Sequence, residues 1–269
     1  MAAASEPDTD AAIQAVFERL ALEAGRVVMQ VFHSEICVEH KSDSSPVTEA
    51  DRAAEVIILA GLRAEFPHIP CVAEEECAAG ILPETLGSAF FLVDPLDGTK
   101  EFVKRHTDFT VNIALVRNGV PEVGVVYAPC SGRFFSGRPG RAETLAIVDE
   151  AISSRHTIHA REGVVPLTIV ASRSHRTPET DASIRTVEAA EIVSIGSSLK
   201  FCLIAGGEAD VYPRFGPTME WDTAAGDAVL RAAGGLTRTL EGEALVYGKS
   251  GVGFANPSFI ARGKVLPPL

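Results

Sequence analysis

Residues 90–102 read FFLVDPLDGTKEF, an apolar run that ends in two aspartates, Asp94 and Asp97, followed at once by Gly98 and Thr99. Carboxylates at the mouth of a strand can serve phosphate chemistry in two ways. In the first, the leading aspartate itself attacks phosphorus, and that design places its aspartates two residues apart. Here the spacing is three, with Pro95 between them. Proline stiffens the backbone and turns Leu96 so that its carbonyl can face the site. The spacing disfavours a covalent nucleophile and suits carboxylates splayed around metal ions. Magnesium prefers carboxylates, a carbonyl and retained waters in octahedral geometry. Two such ions about 4 Å apart activate a water and stabilise the leaving oxygen of a phosphoryl transfer. Separate segments supply further ligands: Glu74 after one strand and Asp222 at the start of a late helix. Gly98 and Thr99 add backbone N–H groups at a helix start, where a phosphate is well placed.

These residues need elements to hold them. A helix is expected from Thr9-Asp10, with Ile13, Val16, Phe17, Leu20, Ala24, Val27, Val28 and Val31 at three-four spacing. A turn-rich segment then enters a second helix ending near Phe66-Pro67. IPCVA (69–73) and AFFLVD (89–94) read as strands, and FTVNIALVRNGVPEVGVVYAP as a hairpin turning at Asn118-Gly119. The pattern relaxes around 150–165, the expected joint between an N-terminal half, 1–160, and a C-terminal half, 161–269. LTIVAS (167–172) begins the second half as a strand, followed by a helix near 177–188. Helices are also expected at LKFCLIAGG and WDTAAGDAVLRAAGG, with the strand ADVYPRF between them. Alternation of this kind marks the α/β or layered α+β class.

The 269 residues carry 24 basic and 36 acidic side chains, a net charge of −12, which argues against a partner that is a nucleic acid polymer. A small anionic substrate remains open, since it needs only local positive charge or metal ions. Five scattered cysteines without CxxC or Cys/His spacing read as reduced, mostly buried thiols. The first residues lack the basic start and apolar stretch of a signal peptide, and no apolar run approaches a membrane span. The cytoplasm is the expected location.

DPLDGTKEF and WDTAAG resemble the two signature motifs of the inositol monophosphatase superfamily of magnesium-dependent, lithium-sensitive phosphatases. SPVTEAD and VAEE resemble its two supporting motifs, in the right order. SRSH (172–175), GSSLKFC (196–202) and YPRFGPT (212–218) resemble its 3'(2'),5'-bisphosphate nucleotidase branch. The resemblance runs from the first helix to about Asn256. It implies an αβαβα sandwich and two or three magnesium ions. Glu74, Asp94 and the Leu96 carbonyl would hold one ion, and Asp94, Asp97 and Asp222 a second. Glu75 is kept as a supporting acid, and Ala73 stands where the family usually has a small polar residue or glycine. Asp51 and Thr99 would form the proton-accepting pair that helps water attack the 3'-phosphate.

On the substrate side the resemblance implies contacts from Ser172, His175, Gly196 and Lys200, in addition to Glu74, Leu96, Asp97, Gly98, Thr99 and Asp222. Amides at Gly196 to Ser198 opening a helix, with Lys200 one turn inside, would accept a 5'-phosphate. Arg214 is a further candidate, since a guanidinium grips phosphate in two places. The implied reaction converts adenosine 3',5'-bisphosphate to AMP and phosphate, and extends to its 5'-phosphosulfate form, within sulfate assimilation. Rival readings are an inositol or other sugar phosphate as substrate, or a silent metabolite-binding relative. GSSLK and SRSH argue against the first, and the intact acid set against the second. The implied partner is a small nucleotide, and the chain is read as a monomer or homodimer with no obligatory protein partner. Some bacterial relatives sit at the cytoplasmic face of the inner membrane, which stays an alternative location. Simpler roles compete at single positions: Thr48 to Asp51 also spells a helix capping box, and Asp222 can cap its own helix.

Overall fold

The computed structural model describes residues 9–41, 46–163, 165–174, 176–185 and 189–264. The first half opens with α1 (Thr9–Phe32), the short strands β1 (Val38–His40) and β2 (Pro46–Thr48), and α2 (Glu49–Glu65). Strand β3 (Cys71–Ala73) leads into the short helix α3 (Glu74–Ala78), and β4 (Ala89–Asp97) into α4 (Thr99–Val103). Five strands complete this half: β5 (Thr110–Arg117), β6 (Val120–Ala128), β7 (Arg133–Arg138), β8 (Arg141–Val148) and β9 (Ala151–Thr157). The second half holds β10 (Leu167–Ser172), α5 (Pro178–Arg185), β11 (Ala189–Ile195), α6 (Leu199–Ala205) and β12 (Val211–Arg214). It ends with α7 (Trp221–Ala232), β13 (Leu236–Thr239) and β14 (Phe259–Arg262).

Strands β3 to β9 form one seven-stranded sheet in sequence order, antiparallel except for the β3–β4 pair. The other large sheet runs β11-β10-β12-β14-β13. Side chains on a strand alternate between faces, and β4 shows what that does here. Phe91 and Val93 point into a core shared with α1 and α2, whereas Phe90 and Leu92 point into a second core shared with α6 and α7. Beyond that second core lies the five-stranded sheet, and α5 covers its far side through Ile184. The order helix, sheet, helix, sheet, helix is the αβαβα sandwich expected.

Two backbone features bring the site together. Helix α7 lies close on β6 because Gly124 has no side chain: a Cβ there would stand 2.5 Å from the Ala225 carbonyl oxygen. At the hairpin turn, Asn118 and Gly119 have φ of 49° and 77°, the double positive φ of the expected tight turn.

The elements expected appear near their expected bounds, but strands β7, β8, β13 and β14 were not among them, and other details differ. Residues 151–157 of the supposedly relaxed joint form β9, paired along β8, because exposed strands at a sheet edge carry no apolar alternation to read. The run Glu74 to Glu76 is the first turn of α3. Of the five free cysteines, Cys71 and Cys202 are buried, Cys77 and Cys130 half-buried, and Cys37 is exposed.

Candidate active site

A cavity of about 630 Å³ opens between the two sheets. Its acidic wall is assembled from three separate elements. Glu74 begins α3 directly after β3, Asp94 lies inside β4, and Asp222 stands in the first turn of α7. Each offers a carboxylate oxygen within 4.8 Å of the other two. Asp94 Oδ1 accepts the Leu96 amide (3.0 Å), and Asp222 Oδ2 accepts the Met219 amide (2.9 Å). Pairing between β4 and β5 shifts register between Asp94 and Asp97: Asp94 faces Asn112 and Asp97 faces Thr110. Asp97 is held apart from the other three. Its Oδ2 accepts the Ser198 hydroxyl (3.1 Å) and lies 3.4 Å from Asn112 Nδ2.

Gathering like charges has a cost in protonation. Burial raises the Asp94 pKa well above the usual carboxylate range, and Glu74, Asp97 and Asp222 push it further. Asp222 is raised in the same way, by burial and then by Asp97 and Glu74. Burial lifts Glu74 to about 7, with Lys41 working against it. Asp97 is also raised by burial, with opposition from Lys200 and the Ser198 hydrogen bond. A set of oxygen donors that repel one another this strongly fits a hard divalent cation, which restores the charged forms.

The capping box at the start of α2 is present: the Thr48 hydroxyl accepts the Ala50 amide, and Asp51 Oδ2 accepts the Thr48 backbone N–H at 2.7 Å. Capping leaves the other carboxylate oxygen free for a second task. Asp51 Oδ1 lies 3.0 Å from Thr99 Oγ1, which is also 3.2 Å from the Leu96 carbonyl oxygen. Burial raises the Asp51 pKa above its ordinary value. Gly98, with φ of 96°, makes the left-handed turn that delivers Thr99 to this position.

The lining also includes a cationic part. Lys200 is buried on α6, its Nζ 2.5 Å from the Ser197 carbonyl oxygen and 5.3 Å from the Tyr212 ring centre. Burial lowers its pKa to about 8, with Asp97 opposing and Arg214 adding to the fall. Arg214, at the end of β12, donates to the Gly216 carbonyl (3.1 Å) and the Pro217 carbonyl (2.5 Å). Ser172, Gly196, Lys200 and Arg214 all line the cavity together with the acidic residues. His175 lies outside the described residues.

The Gly196 amide is placed differently from expectation. It donates to the buried Asp108 carboxylate, and α6 begins three residues later, at Leu199. A Cβ at Gly196 would lie 2.9 Å from the Asp108 carbonyl oxygen, so glycine is required by the close packing of these segments. Asp108 also binds Arg173 at 2.6 Å, which ties the residues after β10 to the same point.

Other residues at the site carry no motif of their own. Lys41 Nζ lies 2.5 Å from Glu74 Oε1 and 2.6 Å from Glu75 Oε1. Those two carboxylates outweigh its burial and hold its pKa above the ordinary value. Ser198 links the halves, since its hydroxyl reaches both Asp97 and the Asp222 carbonyl (3.0 Å) and accepts from Asn112 Nδ2 (2.7 Å). The only available signal for Ser198 was its place inside GSSLK. For Lys41 it was proximity to SPVTEAD.

With the geometry established, comparison with known proteins gives it a family. The model of the inositol monophosphatase family matches residues 10–265. This chain belongs to that family. Among curated relatives, the 3'(2'),5'-bisphosphate nucleotidase CysQ of Escherichia coli K12 is 44% identical over 243 residues, covering 90% of this chain and 96% of the relative. The protein of that name from Haemophilus influenzae is 30% identical over 91% of this chain and 90% of its own. Among solved structures, CysQ from Bacteroides thetaiotaomicron superposes with a TM-score of 0.79 at 37% identity, over 95% of this chain and 98% of that one. An IMPase from Thermotoga maritima gives 0.74 at 25% identity, over 92% and 91%. No helix among the described residues is long and apolar enough to cross a membrane.

Proposed function

We propose that this protein is a metal-dependent 3'(2'),5'-bisphosphate nucleotidase that removes the 3'-phosphate of adenosine 3',5'-bisphosphate, yielding AMP and phosphate. One observation carries the reading: a single cavity is lined both by a carboxylate cluster and by two buried cations, Lys200 and Arg214. A monophosphate needs only the first of these walls. A substrate with a second phosphate uses both, and the relatives at 44% identity carry the name of that activity. The cavity volume lies within the ~300–1,000 Å³ usual for small-molecule sites. Action on the 5'-phosphosulfate form follows from the same second anion site.

Glu74, Asp94, Asp222 and the Leu96 carbonyl are the groups that would hold divalent magnesium, with Asp97 completing a second position. When bound, the metal neutralises phosphate charge and stabilises the leaving 3'-oxygen. The protein's own part is proton handling and placement. Thr99 Oγ1 takes a proton from the attacking water as it passes its own to Asp51, whose raised pKa suits it to accept one. Thr48 holds Asp51 in place through two donors, the backbone amide and the hydroxyl, both at 2.7 Å. Lys200 and Arg214 exchange their contacts with backbone carbonyls for the 5'-phosphate, a stronger charge-assisted pairing. Ser172 and the segment at Gly196 complete the wall against which the nucleoside lies, and His175, outside the described residues, is kept as a nucleotide contact by resemblance alone.

A phosphate-release panel with magnesium tests the proposal, with and without lithium. It contains adenosine 3',5'-bisphosphate, its 5'-phosphosulfate form, inositol 1-phosphate and fructose 1,6-bisphosphate. The nucleotide is expected to show the highest kcat/KM, with lithium lowering the rate. A higher kcat/KM on inositol 1-phosphate would replace this reading with that of a sugar phosphatase. Undiminished turnover after chelation would remove the metal.

A further inference from the structure

Two carboxylates near the cavity belong to no motif and are not part of its lining. Glu55 sits on α2, four residues beyond Asp51 and therefore on the same helix face. It is 5% exposed, and its two oxygens accept the amides of Glu75 (2.8 Å) and Glu76 (2.9 Å). Those amides belong to the first turn of α3, whose first residue is Glu74. Glu220 is fully buried, two residues before Asp222. Its oxygens accept the amides of Gly248 (2.6 Å) and Lys249 (2.8 Å), and the Lys249 ammonium lies 2.7 Å away. The backbone N–H of Glu220 donates to the Phe254 carbonyl at 2.9 Å, so the 248–254 loop is fastened to it at both ends.

We propose that Glu55 and Glu220 are positioning residues that fix the separation of Glu74 and Asp222, and so set the affinity of the site for a divalent cation. The inference rests on reading the carboxylate cluster as a metal site. Its basis is mechanical. Glu74 lies on a five-residue helix with no side-chain cap, and Asp222 in the first turn of a helix whose N-cap makes no side-chain cap bond either. The α7 start keeps one tie of its own, the Met219 amide on Asp222 Oδ2. Beyond that, a buried carboxylate holds each start through two consecutive amides: Glu55 accepts those of α3, and Glu220, the α7 N-cap, accepts those of Gly248 and Lys249, which fixes position and orientation together. Supporting groups of this kind commonly govern metal affinity by ~10–100-fold.

The test measures Mn²⁺ binding by electron paramagnetic resonance of the free ion, without substrate, alongside Tm and magnesium-dependent kinetics. Glu55→Gln and Glu220→Gln each place an NH₂ donor against an amide N–H. Glu55→Asp and Glu220→Asp keep the charge but lose the reach, and they carry the test if a glutamine variant fails to fold. Glu18→Gln serves as the control, a buried carboxylate paired with Arg155 on the far side of α1. All four site variants are expected to bind Mn²⁺ about 10–100-fold more weakly, with the magnesium requirement rising in parallel and the nucleotide KM at saturating metal within about threefold of wild type. The control should lower Tm and leave Mn²⁺ affinity unchanged. Site variants that lose Tm yet bind Mn²⁺ as wild type does would overturn the proposal. So would aspartate variants that bind normally while the glutamine variants do not, because charge and not placement would then be the cause. Wild-type protein that binds no Mn²⁺ would overturn the metal reading itself, and this inference with it.

Discussion

The two walls of the cavity are built from opposite charges and are held in opposite ways. On the acidic wall the carboxylates accept from fixed partners: Asp94 from the Leu96 amide, Asp222 from the Met219 amide, Asp97 from Ser198. On the cationic wall Lys200 and Arg214 donate to carbonyls of their own chain segments, at Ser197, Gly216 and Pro217. The acids repel one another and their pKa values rise, whereas Lys200 is buried and its pKa falls to about 8. Burial works against the charged form on both walls, reinforced by like charge among the acids and by Arg214 beside Lys200. On the proposed function, this difference would suit the acidic wall to a metal ion held by fixed side chains and the cationic wall to a phosphate that replaces carbonyl contacts.

Breaking the acidic wall should cost most. Asp94→Asn removes the carboxylate central to the cluster, and kcat with magnesium is expected to fall about 1,000-fold, on the scale of losing a group that stabilises transition-state charge. Near-normal turnover would dismiss the metal assignment. Thr99→Ala leaves both walls standing and interrupts the proton path to Asp51, so a loss of about 100-fold in kcat is expected with little change in KM. On the cationic wall, Lys200→Ala should raise KM for adenosine 3',5'-bisphosphate by about 10–100-fold, the worth of a charged hydrogen bond. Its effect on 3'-AMP, which has no 5'-phosphate, should be small, and equal weakening of both substrates would remove the 5'-phosphate site.

The mildest and sharpest probe is pH. Burial lowers the Lys200 pKa to about 8, so its charge is present well below that value and is lost as pH rises through it. Affinity for the bisphosphate should therefore be full below pH 8 and decline as pH rises through it. KM measured for 3'-AMP should show no matching step. A flat profile for both would mean that Lys200 does not meet the second phosphate.

How much of this was legible depends on what each residue does. Asp94 and Asp97 stood out by their spacing at the mouth of an apolar strand, whereas the roles expected of Thr99 and Asp222 came from the resemblance of DPLDGTKEF and WDTAAG to the family's motifs. The sheets and helices near them followed from apolar period, as in Phe90 to Val93, which feed two different cores in alternation. Residues that act by reaching across the fold left no such trace. Asp108 meets Gly196 across 88 positions, and Ser198 meets Asp97 across 101. Glu55 resembles any helix-surface glutamate until α3 is folded against it. The partner of the Gly196 amide escaped notice for this reason, since nothing nearby in sequence announces that Asp108 will accept it. Strand β9 was missed for a different one: as a sheet edge, it carries a mostly exposed and polar pattern.

The register shift between Asp94 and Asp97 reaches further than the ladder it interrupts. Three residues of β4 span two of β5, so both aspartates keep the same parity while one peptide is expelled from the regular pairing. The expelled stretch contains the Leu96 carbonyl, which meets the Thr99 hydroxyl. That oxygen belongs to the main chain and is present whatever side chain position 96 carries. Point mutation can erase every acidic group around it but cannot delete it. Only a change in chain length could, which makes the count of residues between the aspartates a heritable part of the site in its own right.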